Sequence, residues 1–197
     1  GGKTSEEYCR NDGIRKETEL RLTGVVYHKE GKEIVYDHTD SKIEEMINSE
    51  DAFIQGIGIR LAAEEYGATT TRPRRIGWTD AVAARYARNI NGSKNNLKFV
   101  LTKPDALAGA RNFKIGYSYN HPATGRTVEF ARDNSFLRSV TPEYREYEGY
   151  PPLKEVIAFT DLPPTLQNAI SDLERFVEAQ VAIVSVGAEQ SQTLIKI

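Results

Sequence analysis

Residues 161–187 read DLPPTLQNAISDLERFVEAQVAIVSVG, and this stretch decides the fold class. Pro163 and Pro164 fall in a first helical turn, where a missing N–H costs nothing. Leu166, Ala169, Ile170, Leu173, Phe176 and Val177 then recur at helical spacing and define one apolar face. The run Val181-Ala182-Ile183-Val184-Ser185-Val186-Gly187 is apolar almost throughout, as in a strand covered on both faces. A helix feeding such a strand predicts a parallel, buried sheet. Upstream, Lys98-Phe99-Val100-Leu101-Thr102 reads as another short apolar strand. Phe113, Ile115, Tyr117 and Tyr119 alternate, and Thr127-Val128-Glu129-Phe130-Ala131 is their expected hairpin partner. Residues 133–163 are rich in loop formers, and 192–197 form a last strand. The expected architecture is α/β, a mostly parallel sheet with flanking helices and an inserted antiparallel hairpin.

Further toward the amino terminus the pattern weakens. A helix is expected over 79–91, with Val82, Tyr86 and Ile90 on one stripe thickened by Ala83 and Ala87. Another runs over 51–66 with Phe53, Ile57 and Leu61 at fourfold spacing, ended by Gly67 as its C-cap. Gly56 and Gly58 inside it cost about 1 kcal/mol each against alanine. Asp40 or Ser41 is positioned to cap a short helix through Ile43, Met46 and Ile47. Residues 23–27 and 33–36 read as a hairpin. Two regions result: residues 1–50, hard to assign, and residues 51–197, in which the fold is concentrated.

The composition excludes several function classes. Of 197 residues, 39% are hydrophobic and 27% charged, the balance of a soluble globular chain. Net charge is −2, so no field-scale attraction to nucleic acid or anionic membrane follows and any basic segment must act locally. No apolar run is long enough to span a membrane, and no signal-peptide pattern is present. Cys9 is the only cysteine, so no internal disulfide is possible and a cytoplasmic setting is expected. His28, His38 and His121 have no metal-site spacing. Gly1-Gly2-Lys3-Thr4-Ser5 looks like the tail of a GxxxxGK[ST] phosphate loop. It lacks the first glycine and the aiming strand, and reads as a chance match.

Three segments can carry chemistry. Residues 67–80 read GATTTRPRRIGWTD, with three threonines running into three arginines. Such a loop offers hydroxyl donors and guanidinium forks to one anion, and arginine pairs bidentately with carboxylate or phosphate where lysine cannot. A solvated basic turn is the alternative. Lys103-Pro104-Asp105 and Ser185-Val186-Gly187 each follow or end an apolar strand, where open α/β sheets collect ligands. An aspartate there can accept from the N1 and exocyclic N2 hydrogens of a guanine, while a lysine stem packs on the ring. A Ser-x-Gly turn permits close approach of backbone to a ring edge. A surface ion pair and a plain strand-end turn are the alternatives.

The order Gly67-Ala68-Thr69-Thr70-x-Arg72-Pro73-Arg74-Arg75-x-Gly77-Trp78-x-Asp80, then Leu101-Thr102-Lys103-x-Asp105, then Val184-Ser185-Val186-Gly187 before Gln192-Thr193, resembles the C-terminal half of the adenylosuccinate synthetase family. Ala84-Arg85-Tyr86-Ala87, Ile90-Asn91-Gly92, residues 144–150 and Asp161-Leu162-Pro163 fit it too. A fainter likeness joins Tyr8-Cys9-Arg10 and Gly13-Ile14 through Thr18-Glu19 to an upstream family stretch. The resemblance implies the C-terminal part of a P-loop-NTPase-like sheet. It implies a ligase that joins L-aspartate to IMP: GTP phosphorylates the purine O6 with magnesium support, and the aspartate amine displaces that phosphate. By position, residues 68–74 (Ala68, Thr69, Thr70, Thr71, Arg72, Pro73, Arg74) would hold aspartate. Thr69 and Thr70 would donate to its carboxylates, and Arg72 and Arg74 would clamp them. Arg72 would also approach the IMP ribose and Arg74 the GTP. Lys103 and Asp105 would hold guanine, with Ser185 and Gly187 on its other edge.

Departures limit the resemblance. Thr71 stands where the family usually has glycine, Pro104 where it has leucine and Ala188 where it has proline, and Arg10-Asn11-Asp12 replaces Arg-Val-Gly. The family's glycine-lysine phosphate loop, catalytic aspartate, catalytic histidine and magnesium ligands match nothing in this sequence. The expectation is a GTP- and aspartate-binding portion, inactive alone, that works as a homodimer or with an N-terminal half. The alternatives are a phage-type relative acting on another purine monophosphate or using ATP, and a non-catalytic binding module.

Overall fold

The computed structural model describes residues 5–10, 13–92 and 97–196. Of the phosphate-loop-like run over residues 1–5 only Ser5 is described, and Asn11-Asp12 of the Arg10-Asn11-Asp12 departure lie outside the described residues. The chain forms two compact units, Gly1–Gly77 and Trp78–Ile197.

In the first unit, α1 (Ser5–Arg10) and α2 (Lys16–Thr23) precede a hairpin of β1 (Tyr27–Glu30) and β2 (Glu33–Tyr36). Residues 23–26 therefore do not join the hairpin. Thr23 completes α2, and Gly24 at φ +71 stops the helix in the left-handed conformation that glycine adopts without a Cβ clash. Asp40 caps α3 (Ser41–Ile47) by accepting from the Lys42 amide, and Asp51 caps α4 (Ala52–Ala62) through the Phe53 and Ile54 amides. Helix α4 ends well before Gly67. Ala63 is its C-cap, and the chain turns at Glu64 (φ +52). The two glycines of α4 differ. A Cβ on Gly58 would lie 2.6 Å from the Ile47 nitrogen of α3, whereas one on Gly56 would meet nothing. Close helix crossing accounts for the first only.

The second unit holds two mixed sheets. In one, β4 (Lys98–Thr102) pairs in parallel with β8 (Gln180–Ser185), which pairs antiparallel with β9 (Thr193–Ile195). Between β4 and β8 runs α7 (Pro164–Val177), which buries Leu166, Ala169, Ile170, Leu173 and Val177, the face that the sequence predicts. In the other sheet, β5 (Asn112–His121) is central. It pairs in parallel with β3 (Thr79–Asp80) and antiparallel with β6 (Gly125–Thr127) and β7 (Thr141–Glu148). Helix α5 (Ala81–Asn91) is capped by Asp80, and its expected stripe is incomplete: Val82 is buried but Ile90 is exposed.

The expected mostly parallel sheet is corrected. Of six ladders between named strands among the described residues, two are parallel. The hairpin partner of β5 also starts earlier and is shorter than expected, because Gly125 at φ +74 makes the turn tight. Its main partner is β7, inside the stretch that reads as loop. That strand alternates charged and aromatic residues and is exposed on most positions, so it lacks an apolar run; it is preceded by the short α6 (Asn134–Ser139).

Candidate functional site

The Thr/Arg loop is a narrow turn in the first unit. The Gly67 amide donates to the Arg72 carbonyl (2.9 Å), the Thr71 amide to the Gly67 carbonyl (2.8 Å) and the Arg74 amide to the Glu65 carbonyl (3.0 Å). Tyr66 and Pro73 form an antiparallel bridge across its neck. Ala68, Thr69, Thr70, Arg72 and Arg74 are exposed, Thr71 is half-buried and Pro73 is buried. Arg74 holds Glu65 at 2.8 Å. An exposed pair of this kind is worth little in water, so an anionic ligand can take the guanidinium without a large loss. Thr71 sits at φ +52, a region that a β-branched residue seldom enters.

Beneath the loop lies a polar cluster that motif reading misses. Glu19 of α2 is fully buried and Arg60 of α4 is 2% exposed. Arg60 grips the Glu19 carboxylate with two donors, Nε to Oε2 at 3.0 Å and Nη2 to Oε1 at 2.6 Å. The Tyr66 hydroxyl donates to the same carboxylate at 2.5 Å. Burial raises the Tyr66 hydroxyl pKa far above its usual value, and the Glu19 charge and hydrogen bond raise it further. Burial would lower the Arg60 pKa, but the hydrogen bond to Glu19 and its charge prevail and keep the guanidinium charged. The only sequence signal was the faint likeness at Thr18-Glu19.

In the second unit the strand-end residues converge. Thr102 of β4 and Ser185 of β8 are parallel partners, so the carboxyl ends of both strands meet. The Lys103 amide donates to the Ser185 carbonyl at 3.1 Å. Lys103 has a left-handed backbone (φ +59), which turns the chain into a 3-10 segment over Pro104–Leu107. Asp105 is half-buried there. The Tyr150 hydroxyl fastens the segment by donating to the Pro104 carbonyl at 2.8 Å. Burial raises the Tyr150 hydroxyl pKa, and the neighbouring Asp105 charge adds to it. Ser185 Oγ donates to the Gly187 carbonyl at 3.1 Å. A Cβ on Gly187 would collide with the Gln192 side chain, whose Oε1 accepts from the Glu189 amide at 3.1 Å. Gln192 thus lines this strand end, a role that sequence reading did not assign.

The structure brings Lys103, Asp105, Ser185 and Gly187 into one cluster. The Thr/Arg loop belongs to the other unit. Among the described residues, no three His, Cys, Asp or Glu side chains gather where a cation could sit. No helix there is long and apolar enough to cross a membrane.

A family model described as adenylosuccinate synthetase matches residues 40–194. The adenylosuccinate synthetase of Thermoanaerobacter sp. (strain X514) is 36% identical over 141 residues, covering 70% of this chain and 32% of that protein. That of Methanothrix thermoacetophila is 35% identical, covering 71% of this chain and 32% of the relative. A solved structure of the fully ligated synthetase from Plasmodium falciparum superimposes with a TM-score of 0.67 at 24% identity, over 73% of this chain and 34% of that one, and so shares the fold. The chain spans about a third of the length of the relatives it matches. With a family model that matches most of its length and relatives at this identity, the chain belongs to the adenylosuccinate synthetase family.

Proposed function

We propose that this chain is the C-terminal, aspartate- and GTP-binding portion of an adenylosuccinate synthetase, and that ligation of L-aspartate to IMP needs the family's N-terminal half. The synthetase-like region would run over 51–197 and form the end of a P-loop-like sheet in a cytoplasmic enzyme of purine nucleotide biosynthesis. One observation carries the reading. The carboxyl ends of two parallel strands meet through the Lys103 amide and the Ser185 carbonyl, with Asp105 two residues further on. A carboxylate at such a strand end accepts from two guanine N–H groups, which adenine does not offer in that pattern. The Lys103 stem would cover the ring face, and Ser185, Gly187 and Gln192 would line the opposite edge.

In the Thr/Arg loop, Thr69 and Thr70 would donate to the carboxylates of L-aspartate, and Arg72 and Arg74 would neutralise them. Arg72 would also approach the IMP ribose and Arg74 the GTP. Magnesium, implied by the family, would supply charge neutralisation on the transferring phosphoryl group. The described residues include no cluster of three His, Cys, Asp or Glu side chains that would hold the ion by themselves.

An apolar row with exposed ends and a half-buried centre supports the need for a second half. Val100, Ile183 and Ile195 are register neighbours across β4, β8 and β9, and none belongs to the hydrophobic core of this unit. Parallel strands are ordinarily covered on both faces. The test is adenylosuccinate formation by the chain alone, by a homologous N-terminal half alone and by the mixture, with GTP titrated calorimetrically against wild type and Asp105→Asn. Turnover only in the mixture is expected, with GTP affinity falling by about tenfold or more in Asp105→Asn as a charge-assisted hydrogen-bond pair is lost. Full turnover by the isolated chain overturns the division of labour. Equal affinity for ATP and GTP overturns the guanine assignment. Ligand binding without turnover in any mixture points to a non-catalytic module.

A further inference from the structure

The Thr/Arg loop is not held by its own turn alone. Two of its backbone carbonyls are taken by groups from distant helices. The Lys16 amide, in the first turn of α2, donates to the Thr71 carbonyl at 3.0 Å, and Arg60 Nη1 of α4 donates to the Arg74 carbonyl at 2.8 Å. The α2 helix has no side-chain cap, since Arg15 at its N-cap makes no capping hydrogen bond. The loop carbonyl therefore satisfies one of the amides that a helix start leaves open.

Glu19 lies one turn along α2 from Lys16 and reaches both sides of the loop neck. Through Arg60 it fixes the residue that holds Arg74, and through the Tyr66 hydroxyl it fixes the residue that bridges Pro73. The remaining Arg60 nitrogen on the Arg74 carbonyl completes a chain from a buried carboxylate to the loop backbone. The left-handed backbone of Thr71 adds to the case, because such conformations persist where the surroundings over-determine them.

We propose that Glu19 of α2, acting through Arg60 and Tyr66, and the Lys16 backbone amide, acting directly on the Thr71 carbonyl, are the positioning groups of the Thr/Arg loop, and that they preset its threonine hydroxyls and arginine forks for a dicarboxylate. The choice of ligand rests on the reading of L-aspartate given above; the ordering of the loop does not. Neither Lys16 nor Glu19 need touch the ligand. Their effect is to remove the ordering cost that a floppy arginine loop would incur on binding.

The experiment uses the full chain in four forms: wild type, Tyr66→Phe, Glu19→Gln and Tyr36→Phe. Tyr36 is the control, because its hydroxyl is also buried in this unit but donates to the Leu61 carbonyl. Amide hydrogen exchange is read at Gly67, Thr71 and Arg74, and L-aspartate binding is read by calorimetry. Exchange at these three amides is expected to accelerate by about tenfold or more in Tyr66→Phe, as a hydrogen bond to a charged group is lost. Tyr36→Phe should leave them unchanged at similar overall stability. Aspartate affinity should fall in step with the loop amides and not with global stability. Should Glu19→Gln fail to fold, Tyr66→Phe and its control still decide the question. Unchanged exchange at the three amides in Tyr66→Phe, or equal acceleration in Tyr36→Phe, overturns the proposal. Accelerated exchange in Tyr66→Phe with no aspartate binding even in wild type leaves the positioning role standing and removes aspartate as the ligand.

Discussion

Thr71 and Lys103 are two of the four non-glycine residues with positive φ among the described residues, and each sits in a proposed binding segment. The sequence marks Thr71 as a departure at a position where the resemblance expects glycine. Its φ of +52 gives the physical reason for that expectation: a left-handed backbone is disfavoured for a residue with a Cβ, most of all a branched one. Replacement by glycine relieves that strain but adds freedom to the unfolded chain, so the two effects oppose each other. Thr71→Gly is expected to raise stability by about 0.5 kcal/mol, whereas Thr71→Ala, still strained, should not. Urea denaturation of both variants checks this, and a loss of stability in the glycine form would show that the Thr71 side chain outweighs the backbone strain. The sequence shows Thr69, Thr70, Arg72 and Arg74 as residue types suited to an anion, and the roles proposed for them rest on that chemistry. Their buried supports were not legible, because Glu19 and Arg60 come together from helices far apart in sequence.

At the scale of elements, period and capping determine what can be read in advance. Helix α7 and strands β4 and β8 announce themselves because their apolar positions follow a clean helical or strand pattern. Strand β7 does not, since most of its side chains are exposed and its pairing with β5 is decided by the partner rather than by its own composition. The glycines of α4 make the same point quantitatively. Helix propensity assigns both the same cost, yet only Gly58 faces the backbone of another helix, so the two substitutions should have opposite signs. Gly56→Ala is expected to stabilise by about 0.5–1 kcal/mol. Gly58→Ala should destabilise by about 1–3 kcal/mol, because the Ile47 and Met46 backbone cannot yield to a methyl group. Parallel denaturation curves for the two variants decide it; stabilisation by both would mean that α3 and α4 can separate at no cost.

At the scale of the whole molecule, the second unit carries a sheet face that its own core does not cover among the described residues. Val100 and Ile195 are 55% and 66% exposed on either side of Ile183. Replacing both with lysine is expected to change unfolding free energy by no more than about 0.5 kcal/mol, as for surface substitutions, while weakening association with a family N-terminal half by more than tenfold. Sedimentation of the mixed halves reads the association. Unimpaired association of the double variant would move the contact elsewhere. The sequence by itself determined the α/β class, the helix and strand that anchor its larger unit, and the order of three motifs that mark the family. These depend on local periodicity and on side-chain chemistry, which neighbours in the chain already contain. Only the tertiary structure decided that the sheets are mixed, that Lys103 and Ser185 share a strand end, and that a buried glutamate supports the arginine loop. Each of these depends on pairings between residues distant in sequence, selected by burial and by the need to satisfy buried polar groups, which no local pattern encodes.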